Sequence, residues 1–124
     1  MDPGHDDAVA IMFAAASNNI QLNAITCVAG NTTLNNVTKN ALKVCTLIKR
    51  QDIKIYAGCD KPLKRKLVTA DHVHGKSGLD IEGEPIKIDS NYKIENLKTK
   101  KIYIGATTQS PKERWGLHIT DSFK

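Results

Sequence analysis

Three stretches, Ile20 to Val28, Leu34 to Lys49 and Ile53 to Ala57, limit the fold most tightly. The first carries Ile20, Leu22, Ala24, Ile25, Cys27 and Val28 in a short, partly continuous apolar run, the pattern of a strand buried in a parallel sheet. In the second, Leu34, Val37, Ala41, Val44, Leu47 and Ile48 recur at three- and four-residue steps. Asn36, Lys39, Asn40 and Lys43 sit mostly off that stripe, which predicts a helix with one face on the sheet. The third is another short strand, closed by Gly58. Between the first two, Ala29-Gly30-Asn31-Thr32-Thr33 breaks the strand and offers Asn31 or Thr32 as the cap of the helix. Strands alternating with helices argue an α/β fold built on an open, doubly wound, mostly parallel sheet.

The rest of the chain fits around that unit. Asp7 to about Asn18 leaves almost no polar stripe, which predicts a helix covered on most sides. Cys59 to Pro85 holds too many polar, Gly and Pro residues for a long regular element and reads as a loop. Tyr92 to Lys101 reads as a weak helix or coil, and Ile102-Tyr103-Ile104 as a last short strand. At 124 residues, one domain is the ceiling. No run approaches membrane-spanning length and no secretory leader stands at the start, so a cytoplasmic protein is expected. Cys27, Cys45 and Cys59 are odd in number and widely spaced, as reduced thiols rather than a disulfide framework. The net charge of +5 comes largely from Lys61, Lys64, Arg65 and Lys66 and from Lys98, Lys100 and Lys101. Without interleaved aromatics, these clusters read as solvated surface, with no nucleic-acid or membrane partner.

The chemistry concentrates in Asp2-Pro3-Gly4-His5-Asp6-Asp7, which opens into the first helix. Pro3 and Gly4 allow a tight turn, across which Asp2 is expected to face Asp6 and Asp7. One aspartate has a structural use as helix cap. Three close carboxylates repel unless a proton or cation lies among them, and an all-oxygen set suits Ca2+ or Mg2+ better than zinc. The bland alternative is an acidic helix start on a solvated loop. Ligands of open α/β sheets gather beyond the carboxyl ends of the strands. That rule brings the Asp2 turn, the Gly30-Asn31 turn and the loop after Ile53–Ala57 into one place, with the Asn31 amide free either to bond a ligand hydroxyl or to cap a helix. His72 and His74 would share one face of an extended segment, yet no third ligand stands at zinc spacing.

Asp2-Pro3-Gly4-His5-Asp6-Asp7-Ala8-Val9-Ala10-Ile11 closely resembles the N-terminal signature of the inosine-uridine preferring nucleoside hydrolases. Gly30-Asn31-Thr32-Thr33 resembles the family's second motif, and Asp71-His72-Val73-His74-Gly75-Lys76-Ser77-Gly78-Leu79 its His-Gly-x-Ser-Gly loop. The resemblance implies a Rossmann-like nucleoside hydrolase fold, incomplete in this chain, over residues 1–108, followed by a divergent polar tail at 109–124. It implies hydrolysis of the N-glycosidic bond of a small-molecule ribonucleoside, with Ca2+ as cofactor. Asp2 and Asp7, with the Thr107 carbonyl, would hold the ion. Asp6 would be the general base, Asp6 and Asn31 would bind the ribose, and His74 would stand near the leaving base. Self-association into a homo-oligomer is compatible with all of this.

Two parts of the family pattern do not appear: an apolar strand leading into the acidic turn, and a late motif with a further Asp ligand and a His. Weak metal binding, marginal stability and very low turnover are therefore expected of these 124 residues. A second reading is a non-catalytic remnant that at most binds ribose or a partner. A third, a Mg2+-dependent phosphatase, lacks a positioned Lys or glycine-rich cradle beside the turn.

Overall fold

The computed structural model describes residues 1–81, 83, 85–92 and 94–96. In chain order they form α1 (His5–Ala16), β1 (Ala24–Cys27), α2 (Leu34–Leu47), β2 (Lys54–Ala57), the single-turn α3 (Asp71–His74) and β3 (Ile94–Asn96). The strands make a parallel sheet in the order β1-β2-β3. Ile25 lies beside Ile55, and Ile55 beside Ile94. The backbone of Met1 pairs with β1 along its other edge, donating to the Thr26 carbonyl and accepting from the Val28 amide, each at 2.9 Å. Such a pair of bonds, spanning one residue, is the parallel pattern. The open parallel α/β sheet expected from the sequence is the one observed.

Its core is the face of α2 laid over β1 and β2. Val37, Ala41, Leu42, Val44 and Cys45 meet Ile25, Cys27, Ile53 and Ile55, all buried. The predicted stripe is largely right, with two differences. Leu47 is exposed at the end of the helix, and Asn40, expected off the stripe, is 1% exposed. α2 ends in a Schellman turn: Arg50 N–H reaches the Cys45 carbonyl at 2.9 Å and Lys49 N–H the Thr46 carbonyl at 3.1 Å, with Lys49 at φ 56°. Arg50 is fixed there by its fork on Asp52.

α1 corrects another expectation. It packs on α2 through Ala8 and Ile11, with Met12 and Ala15 half-buried against the same core, but among the described residues its outer face is open, with Val9 49% and Phe13 75% exposed. An apolar sequence all round signals burial only when something lies on every side. At Tyr92 to Lys101, expected as helix or coil, Ile94–Asn96 joins the sheet as β3. There the gain from extending the parallel ladder overrides weak local propensity. The strand expected at Ile102–Ile104, and the division at residue 108, lie outside the described residues.

Candidate functional site

Asp2 follows the segment that pairs with β1, and Gly30 and Asn31 follow β1 itself, so both stretches lie beyond the carboxyl ends of parallel neighbours. They are bonded together. The Asn31 amide donates to Oδ2 of Asp2, and the Asn31 side-chain Nδ2 donates to the Asp2 carbonyl, each at 2.9 Å. The loop after β2 returns to the same point, with Ala70 N–H on the Asn31 carbonyl at 2.8 Å. The predicted convergence of the three stretches is thus realised in the backbone.

Capping differs from expectation. Thr33, not Asn31 or Thr32, caps α2, accepting from Asn36 N–H at 3.4 Å. Its hydroxyl lies where the helix amide needs an acceptor, while Asn31 is already committed to Asp2. Neither Asp6 nor Asp7 caps α1, whose N-cap is Gly4 with no side-chain bond. Asp7 instead reaches back, its Oδ2 accepting from Asp2 N–H at 2.9 Å. This one contact stitches the turn shut and brings Asp2 and Asp7 together. Asp6 stands on the same helical turn, exposed.

Burial raises the Asp7 carboxyl above its ordinary 3.8; the Asp2 N–H bond opposes that shift, and the charges of Asp2 and Asp6 add to it. An acid resisting ionisation beside two other acids is where a cation gives relief. Asp2 and Asp7 each have one oxygen on a backbone amide, and their donors, all oxygen, suit a hard cation such as Ca2+. They fit as two members of a coordination shell. Among the described residues no group of three or more His, Cys, Asp or Glu side chains gathers to complete one. Thr107, the third expected ligand, lies outside the described residues.

His74 is brought to the cluster from the far loop. A Cβ on Gly4 would fall 2.7 Å from its Nδ1 and 3.0 Å from the Asn31 side-chain nitrogen, so both rest over a bare backbone. His74 meets His5, with the two Nδ1 atoms 3.2 Å apart. His72 and His74 do not share a face. The segment is a turn of helix, where residues two apart diverge, and His72 is exposed.

Sequence reasoning passed over Asn40. Buried under the turn, its Nδ2 donates to the Pro3 carbonyl at 3.1 Å and the Ser77 carbonyl at 2.9 Å. It thereby ties the acidic turn to the His74 loop. Surface depressions lined by Asn18–Asn23 with Arg50 and Asp52, and by Gln51–Lys54 with Asp89 and Tyr92, precede the strands and share no residue with this cluster.

A family model described as inosine-uridine preferring nucleoside hydrolase matches residues 1–117. The chain belongs to this family. Among its relatives is the pyrimidine-specific ribonucleoside hydrolase RihA of Salmonella arizonae, 42% identical over 110 residues, covering 89% of this chain and 34% of that protein. The enzyme of the same name from Salmonella schwarzengrund is 52% identical over 79 residues, 64% of this chain and 25% of the relative. A solved inosine-guanosine nucleoside hydrolase superposes with a TM-score of 0.50 at 36% identity, over 53% of this chain and 19% of the other. The chain therefore spans between about a fifth and about a third of the lengths of these relatives. Among its described residues, no helix is long and apolar enough to cross a membrane.

Proposed function

We propose that this chain supplies the ribose-binding acidic turn of a calcium-dependent ribonucleoside hydrolase that cleaves the N-glycosidic bond to ribose and free base. The observation that carries the reading is the clamp of Asp2, Asp7 and Asn31 at the strand ends, with His74 seated over Gly4 beside it.

Departure of a base from ribose develops positive charge on the sugar, so water must be activated on one face and the base helped away on the other. Asp2 and Asp7 would hold Ca2+, which when bound lowers the pKa of water and positions sugar hydroxyls. Asp6, exposed on the first turn of α1, takes the proton of the attacking water as general base. Asp6 and the Asn31 side chain hold the ribose hydroxyls. His74 stands for the leaving-base side, where an imidazole transfers a proton near neutral pH.

Calorimetric titration of Ca2+ into the protein, followed by ribose release from uridine, inosine and guanosine, tests this. Calcium uptake that Asp7→Asn abolishes, with ribose release lowered roughly 10²–10⁴-fold by Asp6→Asn, is the expected result. No uptake and no release overturn it. The gathering of only two carboxylates among the described residues favours one other outcome, ribose binding without turnover, in which the clamp serves recognition alone.

A further inference from the structure

Three hydrogen bonds close a ring between the first turn of α1 and the loop after α3. The Asp80 amide donates to the His74 carbonyl at 3.2 Å. The Asp80 carbonyl lies 2.9 Å from Nε2 of His5, and Nδ1 of His5 lies 3.2 Å from Nδ1 of His74. The two imidazoles are stacked, centroids 5.5 Å apart and planes inclined 25°.

The direction of each bond follows from what its atoms can do. A backbone carbonyl only accepts, so Nε2 of His5 carries a hydrogen. A neutral imidazole has one N–H, so Nδ1 of neutral His5 holds a lone pair. The hydrogen between the rings then belongs to Nδ1 of His74, and Nε2 of His74 is bare.

We propose that His5 is a positioning residue that holds neutral His74 as its Nδ1–H tautomer, leaving Nε2 as the atom that takes up a proton from solvent and, from the resulting imidazolium, passes it to the leaving base while Nδ1–H stays on His5. The last step rests on the hydrolase reading above; the tautomer does not. A free imidazole in water prefers the opposite form, so the bond to His5 reverses an intrinsic preference.

The loop is shaped to deliver the Asp80 carbonyl. Gly75 turns the chain at φ 76°, and a Cβ there would fall 2.1 Å from Oδ2 of Asp80. Oδ1 of Asp80 accepts from both the amide and the hydroxyl of Ser77. The carbonyl that orients His5 is therefore fixed by the same seven residues, His74 to Asp80, that carry His74.

Long-range 1H–15N spectra of the imidazoles test the proposal. They are recorded at alkaline pH, raised until the ring-nitrogen shifts no longer change, so that both rings are neutral. Assignments come from His72→Ala and His74→Ala. The expected result is a hydrogen-bearing Nδ1 and a bare Nε2 on His74. His5→Ala should exchange the two signatures, and His5→Gln, whose amide oxygen only accepts, should restore the original one. His5 is exposed, and amide dispersion in the same samples reports that the fold persists. An Nε2–H form in the unmodified protein, or a pattern unchanged in His5→Ala, overturns the proposal. The expected tautomer without ribose release sinks the hydrolase reading alone; ribose release with the opposite tautomer sinks the positioning role alone.

Discussion

Asn31 holds Asp2 twice, by its backbone amide on the carboxylate and by its side-chain amide on the carbonyl, each at 2.9 Å. One bond aims the carboxylate and the other fixes the turn that bears it. Asn31→Ala removes only the second and should cost about 1 kcal/mol of stability. Asn31→Asp sets a charged acceptor against a carbonyl and beside Asp2, and should cost more, about 2 kcal/mol. Urea denaturation of the two variants gives the order; no loss in Asn31→Ala would show that the side-chain bond contributes little, and equal losses that the added charge is not felt by Asp2.

Gly30 sits against Asp2 so closely that a Cβ would fall 2.1 Å from Oδ2. Gly30→Ala must drive the Asp2 carboxylate away from the Asn31 amide. A loss of about 1–3 kcal/mol is expected from the overpacking. Calcium affinity, read by calorimetry, should fall with it. Because both variants act through the Asp2–Asn31 contact, the double variant Gly30→Ala with Asn31→Ala should lose less than the sum.

Asn40 is a buried amide donating to two carbonyls from two segments. Asn40→Leu keeps the volume and strands both acceptors. A loss of about 1–3 kcal/mol is expected, the cost of leaving buried polar groups unpaired. Ribose release, if measured alongside, should fall further than global stability, because the acidic turn and the His74 loop would no longer be tied to each other.

The βαβ unit was legible because apolar spacing reports burial directly: Val37, Ala41 and Val44 fell where the stripe put them. Asn40 was misread although it stands three residues after Val37 and four before Val44, on the same face. Its polar character hid it, and only the positions of Pro3 and Ser77, 37 residues away in either direction, make a buried amide sensible. The acidic turn was visible as composition, but which aspartate does what was not. Asp7 reaches back to Asp2 rather than capping its helix, and that choice depends on the turn at Pro3-Gly4, not on propensity. His5 was passed over because its partners, His74 and the Asp80 carbonyl, come from the far loop.

The cysteines differ in setting. Cys27 and Cys45 are buried and Cys59 is exposed. Burial pushes the Cys27 thiol up to about 11, and raises Cys45 as well. The thiolate is the reactive form, so an aromatic disulfide reagent at neutral pH should titrate Cys59 fast and the other two only on unfolding. Rapid labelling in Cys59→Ser would contradict the packing of α2 on β1.

Asp80 supplies a pH test of the His74 loop. Its carboxyl is held below the ordinary 3.8, chiefly by the Ser77 hydroxyl, with the Ser77 and Lys76 amides assisting and desolvation opposing. A lowered folded pKa means that the unfolded chain binds more protons between the two values, so stability rises with pH across that window. The contribution is present above 3.8 and disappears as pH falls through the folded value. Asp80→Asn cannot titrate there. The difference in thermal midpoint between the unmodified protein and Asp80→Asn should therefore be largest near neutral pH and shrink on acidification below 3.8. Because Asp80 is exposed, added salt should shrink it too. A difference that persists unchanged below the window would mean that Asp80 acts by shape rather than charge.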